Sequence, residues 1–193
     1  MQKDIILFGM QGSGKWTQAD LLLKTMKHYQ YFEPGNIFRA LKSNNNVIWA
    51  HIRERMDRGE MLDDAITFGV FDISRHLLRK GECFMTDGFL RTLPQMYYFL
   101  SREYHQKRDF VGIYYHISKK TAIKRLMTRA KLEWRKDDTP EGIVKRIAIY
   151  ESETLPVIKY FESIGKLITI DAEQSIEKIL KDTKKALGRL SGR

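Results

Sequence analysis

The chain is nearly devoid of cysteine: Cys83 stands alone among 193 residues, so no internal disulfide can form. Its place in an apolar run reads as core filling rather than as a nucleophile, and a lone thiol agrees with a reducing compartment. Long hydrophobic runs are also missing. No apolar stretch reaches the roughly 18 to 20 residues of a membrane span. The N-terminal MQKDIILFGM is too short in its apolar part, and too soon followed by glycines, to read as a signal peptide. There is no internal repeat, and no linker long enough to divide the chain. These shortages leave a cytoplasmic protein of one domain, and 42% hydrophobic with 30% charged residues is ordinary for such a protein.

Acidic residues are in deficit as well. Lys and Arg number 34 against 24 Asp and Glu, a formal net charge of +10. Such a balance implies anionic partners, either nucleotide phosphates held in one cleft or a nucleic-acid backbone along one face. Only the position of each arginine can separate the two.

What the chain does have is DIILFGMQGSGKWT, residues 4–17. The unbroken run Ile5 to Phe8 suits a strand buried on both faces, hence a parallel sheet. Gly9, Gly12 and Gly14 then leave no Cβ to bar a phosphate from the backbone, and Lys15 opens a helical pattern. This is a phosphate-binding loop with one irregularity: Trp16 stands where the strict motif has a hydroxyl, and Thr17 supplies one a residue later.

Further along, a helix is expected over roughly residues 15–28. Pro34 and Gly35 precede a short helix carrying Arg39, which without other information reads as a solvated arginine. A second short helix ends at Gly59, and a third, with Asp63 as its N-cap, runs to Lys80-Gly81. Cys83 to Gly88 reads as a strand ending in Asp87. In a parallel α/β sheet the ligand crevice lies beyond the carboxyl ends of the strands, so Asp87 would face the phosphate loop and could hold the waters of a Mg²⁺ ion; an Asp-Gly turn is the plainer reading. Phe110 to Ile117 and Leu167 to Ile170 complete the apolar strands. Between them Thr139-Pro140 starts a long helix that Pro156 should kink, and an amphipathic helix from Ile176 closes the chain. The alternation predicts an α/β fold with a central parallel sheet.

Six separated segments resemble nucleoside monophosphate kinases, the adenylate kinases most of all. They are GMQGSGKWTQAD, EPGNIFRA, MDRGEMLDD, TDGFLRTLPQ, RLMTR, and RKDD followed by KR. The resemblance implies a three-layer α/β P-loop fold around a central five-stranded parallel sheet, with a helical acceptor-binding insertion over about 34–63 and a short lid over about 129–138 with no Cys or His cluster for zinc. It implies an enzyme that uses ATP as co-substrate and Mg²⁺ as cofactor to convert AMP to ADP. By the same resemblance, ATP would be bound by Gly12, Ser13, Gly14, Lys15, Trp16, Thr17, Arg125 and Arg129. Pro34, Gly35, Arg39, Met61, Gly88, Arg91, Gln95, Arg135 and Arg146 would take the AMP, with Gln95 reading its base. Lys15, Arg91, Arg125, Arg135 and Arg146 would be catalytic, and Asp87 would hold Mg²⁺ through water. A monomer is expected, without membrane or nucleic-acid partners.

The chain departs from that family at Trp16, at Pro34 and Asn36 where threonine and aspartate are usual, and at Leu90 where proline is usual and the peptide is held cis. A non-proline cis bond costs about 2.5 to 4 kcal/mol, so a trans peptide is expected. The alternatives are a UMP/CMP kinase, a low-activity nucleotide-binding sensor, and a nucleic-acid binder using the basic closing helix.

Overall fold

In the computed structural model, described over residues 3–41, 47–58, 60–133 and 139–191, five parallel strands form one sheet in the order β2-β3-β1-β4-β5. The strands are β1 (Lys3–Phe8), β2 (Tyr29–Phe32), β3 (Cys83–Asp87), β4 (Asp109–His116) and β5 (Leu167–Asp171). The described helices are α1 (Lys15–Leu23), α2 (Pro34–Leu41), α3 (Val47–Asp57), α4 (Asp64–His76), α5 (Leu93–His105), α6 (Lys119–Glu133), α7 (Pro140–Ile149), α8 (Leu155–Ser163) and α9 (Ile176–Ser191). Ile5, Ile6, Leu7 and Phe8 of the central β1 are buried, as the unbroken apolar run requires. Leu7 lies opposite Asp87 in the β1–β3 ladder. The carboxyl ends of these two strands therefore lie side by side, where an open α/β sheet receives its ligand.

Two local expectations are corrected. The first helix stops at Leu23 rather than near His28; a turn follows, with Met26 N–H donating to Leu22 O at 2.9 Å and Tyr29 N–H to Met26 O at 3.0 Å. Residues 29–32 then join the sheet as an edge strand paired to β3 alone, with Tyr29 opposite Cys83 and Phe32 opposite Thr86. Pro156 brings no simple kink. It cannot donate to the carbonyl one turn earlier, and the helix accommodates this in a π-helical turn over Tyr150–Thr154, between α7 and α8. Such turns gather at functional sites, and here Thr154 Oγ1 donates to Arg91 O at 3.0 Å. Asp63 does precede α4, but its carboxylate makes no cap bond and pairs instead with His51 and Arg55 of α3, at 2.8 and 3.0 Å.

Beneath the carboxyl ends, Phe32, Phe71, Phe84 and Phe89 pack ring to ring, with Phe71 and Phe89 stacked at 4.6 Å. This cluster ties β2, β3 and α4 to the loop that follows Asp87. At the opposite end of the sheet lies a buried polar knot. Arg75 bonds both Asp4 and Glu103, and Arg108 adds bonds to Asp4 at 3.0 and 3.2 Å. Arg75 also sits over the Phe84 ring at 4.7 Å. Burial would raise the Asp4 carboxyl, but Arg108 and Arg75 outweigh it and hold Asp4 below the usual carboxylate range. Burial, with the neighbouring Asp4 charge, pushes Glu103 up to about 8, so Glu103 is the member that keeps a proton. Among the described residues no helix is long and apolar enough to cross a membrane.

Candidate active site

The loop between β1 and α1 forms because its glycines take conformations that other residues resist. Gly9 has φ 147°, and a Cβ there would meet Ser13 Oγ at 2.6 Å and Tyr115 O at 2.7 Å. Ser13 is fully buried within the loop, with no partner for its hydroxyl among the described residues. Lys15 turns its ammonium back into the loop, donating to Gly9 O at 2.8 Å and Met10 O at 3.3 Å, and lies 3.9 Å from Asp87 Oδ1. Gly14 caps α1 and Thr17 lies half-buried in its first turn, whereas Trp16 is 61% exposed. Gly12 supports the loop from the side of α6: its carbonyl accepts from Arg125 Nη1 at 3.3 Å while Arg125 Nη2 donates to Ala172 O at 3.0 Å.

Asp87 and Arg91 are set by the turn after β3. Gly88 has φ 69°, and a Cβ on it would come within 2.6 Å of Arg91 Nη2. With the Cβ missing, Arg91 folds back and its Nε donates to Gly88 O at 2.8 Å. The Phe89–Leu90 peptide is trans, as no cis bond occurs among the described residues, and Leu90 is buried. The Arg91 N–H donates to Gln95 Oε1 at 2.9 Å, and Gln95 Nε2 donates to Asp64 Oδ1 at 2.9 Å, so both ends of this buried amide have protein partners. Thr92 caps α5 by accepting from Gln95 N–H.

Charge converges on this end of the sheet. Burial lowers the Lys15 pKa, against the pull of Asp87 and Glu33, with Arg91 and Arg129 adding to the lowering. Burial likewise lowers Arg91, which Asp87 and Glu33 stabilise and Arg39 and Arg146 oppose. Asp87 is pushed up by burial, with Lys15 opposing and Glu33 reinforcing the rise. The structure thus brings Lys15 and Arg91 into electrostatic reach of Asp87, Arg39 and Arg146 into reach of Arg91, and Arg129 into reach of Lys15. Arg39 rides on α2 with Pro34 and Gly35 in the turn before it, Arg146 rides on α7, and Met61 lies half-buried between α3 and α4. Arg135 lies outside the described residues with the rest of 134–138, half of the expected lid.

Sequence reasoning missed two residues here. Glu33 Oε1 accepts from Arg39 Nη2 at 2.8 Å, and Glu33 Oε2 accepts from Asn36 Nδ2 at 2.6 Å and from Tyr31 O–H at 3.0 Å. Tyr31 O–H also lies 3.4 Å from Asp87 Oδ2. The one available signal was Glu33 standing directly before Pro34-Gly35, the N-cap slot of α2.

A family model described as adenylate kinase matches residues 7–166. The adenylate kinase of Oenococcus oeni is 32% identical over 195 aligned residues, spanning 98% of this chain and all of that protein. The adenylate kinase of Xanthomonas oryzae pv. oryzae is 32% identical over 187 residues, spanning 96% of this chain and 99% of its own length, and that of Xanthomonas campestris pv. campestris is 31% identical with the same coverage. With a P-loop closing on β1, an acid ending β3 and arginines gathered from three helices and a loop, the chain belongs to the adenylate kinase family of nucleoside monophosphate kinases.

Proposed function

We propose that the protein transfers the terminal phosphoryl group of ATP to AMP, reversibly and with Mg²⁺, giving two ADP. The observation that carries this reading is the glycine-rich loop that holds Lys15 3.9 Å from the buried Asp87, with Arg91 in reach of that acid, Arg39 and Arg146 in reach of Arg91, and Arg129 in reach of Lys15. Phosphoryl transfer asks little covalent work of the protein; alignment and positive charge on the transferring oxygens do most of it. In this reading Gly12 to Thr17 and Lys15 cradle the ATP phosphates, and Lys15 exchanges its bonds to Gly9 O and Met10 O for phosphate oxygens. Arg125 and Arg129 serve the ATP side. Arg39 and Arg91 grip the acceptor phosphate, and Arg135 and Arg146 close over the reacting groups. Pro34, Gly35, Met61, Gly88 and Gln95 line the acceptor side.

The donor set suits Mg²⁺. Among the described residues no group of three or more His, Cys, Asp or Glu could cage a metal, and Mg²⁺ needs only one or two carboxylates besides waters and substrate phosphates. Asp87, buried beside the phosphate loop, is the carboxylate that would hold its waters. When bound, the ion would neutralise charge on the phosphates and fix their geometry. We place the enzyme in the cytoplasm as a monomer, because Cys83 is a buried free thiol and one chain supplies every residue named here.

The test is ADP formation from ATP and Mg²⁺ with AMP, UMP, CMP and GMP as separate acceptors. Turnover with AMP should fall by at least a hundredfold in Lys15→Ala and in Arg91→Ala, the scale expected for removing one preorganised charge from a developing oxyanion. Preference for UMP or CMP would move Gln95 out of its assigned place. No ADP with any acceptor, from protein that binds ATP, would overturn the reading.

A further inference from the structure

A site built to receive two phosphorylated nucleotides would be expected to contain few anions, yet Glu33 stands inside it. Its side chain is 18% exposed and is held by three donors on three residues: Arg39 at 2.8 Å, Asn36 at 2.6 Å and Tyr31 at 3.0 Å. Arg39 also bonds Asn36 Oδ1. Gly35 makes room for this arrangement, since a Cβ there would lie 3.3 Å from Arg39 Nη1 and 3.6 Å from Glu33 Oε1. Asn36 completes it chemically: an amide can donate to a carboxylate, which an aspartate at the same position could not.

We infer that Glu33 is an internal counter-ion for the acceptor-phosphate site, its carboxylate occupying the Arg39 guanidinium until the phosphate of an incoming nucleoside monophosphate displaces it. This rests on the phosphotransferase reading for the identity of the acceptor. A carboxylate and a phosphate present similar oxygen pairs to the planar guanidinium fork, so the two compete for one partner. In the empty site Glu33 offsets the repulsion among Arg39, Arg91 and Arg146. On acceptor binding it becomes an anion close to a phosphate, and its competition weakens the acceptor. Glu33 is therefore a positioning residue, acting on the substrate through Arg39. Tyr31 carries the exchange further. Its single proton is nearer Glu33 than Asp87, 3.0 against 3.4 Å, so departure of Glu33 leaves Asp87 as its acceptor. Acceptor binding is thereby transmitted to the acid beside the phosphate loop.

Arg39 is 46% exposed, so solvent screens the pair and the effect is moderate. Glu33→Gln keeps the shape and one of the two acceptor oxygens but removes the charge. It should tighten AMP about five- to tenfold in calorimetric titration and lower KM for AMP by a similar factor. Adenosine, which lacks the phosphate, should bind wild type and Glu33→Gln alike, and Glu33→Asp, which keeps the charge, should stay within about threefold of wild type for AMP. Weaker or unchanged AMP binding by Glu33→Gln would overturn the inference and make the carboxylate a support that aims Arg39 at the acceptor. Equal tightening of adenosine would also overturn it, by placing Glu33 against the nucleoside. The titrations read out whether or not the wild type forms ADP, so failure of the catalytic reading is seen separately in the ADP assay.

Discussion

Arg75 offers the sharpest test of what holds the sheet together beneath the site. It is 7% exposed and bonds two carboxyl groups, on Asp4 in β1 and Glu103 in α5, while its guanidinium covers the Phe84 ring at 4.7 Å. Replacing it with methionine keeps most of the volume and removes every polar bond. Breaking a buried ion pair by removing one partner costs about 3 to 5 kcal/mol. The low end applies here, because Asp4 keeps two bonds from Arg108 and one from Phe84 N–H at 2.7 Å, and because Glu103 holds a proton at neutral pH. A loss of about 3 kcal/mol in a chain of this size lowers Tm by roughly 6 to 12 °C, measurable by calorimetry or by circular dichroism at pH 7. Arg108→Met should cost less: its side chain is 26% exposed, and Arg75 remains on Asp4. A loss below about 1 kcal/mol in Arg75→Met, or a larger loss in Arg108→Met, would refute the reasoning, because Arg75 would then be replaceable by any side chain that fills the space.

Two further outcomes follow from the same geometry. Gly88→Ala places a Cβ at φ 69° and 2.6 Å from Arg91 Nη2. The backbone should cost about 1 to 2 kcal/mol, while the guanidinium, a flexible end, swings away, so kcat/KM should fall by more than tenfold, toward the Arg91→Ala value; unchanged kinetics beside a lowered Tm would remove Arg91 from the site. The second concerns pH. Glu103 is pushed up to about 8 from 4.5 by burial and by Asp4. The folded protein therefore keeps a proton that the unfolded chain releases, and stability should decline by a few kcal/mol as pH rises from about 4.5 to 8. Urea denaturation across that window should show the decline in wild type and a flatter profile in Glu103→Gln; parallel profiles would show that Glu103 is ionised in both states.

Four of the five strands were legible: β1, β3 and β4 lie inside the sheet and read as apolar runs with little polar alternation, and the edge strand β5 was marked by Leu167, Ile168 and Ile170 although Thr169 and Asp171 are exposed. β2 was not. YQYF follows the helical pattern of α1 after only a few residues, and strand propensity declares itself through the neighbour, here β3 across the Tyr29 and Cys83 pairing. The π-helical turn was half legible: Pro156 announced an interruption, but where the extra residue is absorbed depends on packing, with Thr154 reaching the Arg91 carbonyl from the end of that turn.

The site divides along a similar line. Residues whose work is done by the backbone or by charge of one sign could be read directly. Glycines flanking a lysine after a buried strand have few other uses, and arginines in motif order point to phosphate. Glu33 runs against that logic, since a carboxylate in a phosphate site is a cost unless something opposes it. Only the fold shows the opposition, by carrying Tyr31 in on the edge strand that sequence patterning missed and by turning Arg39 back over Gly35. Gln95 teaches the converse. Its position in the motif was plain, yet in this structure its amide joins Arg91 N–H to Asp64, so α4 and the turn after β3 are locked together through it. Nε2 keeps a second N–H and Oε1 a second lone pair, so the amide can meet a base while Arg91 and Asp64 hold its plane. A base would then be read by an amide whose orientation these two bonds fix, so Asp64→Ala, which frees one end of it, should lower selectivity among acceptor bases in the ADP assay; unchanged selectivity would show that Asp64 does not orient the amide.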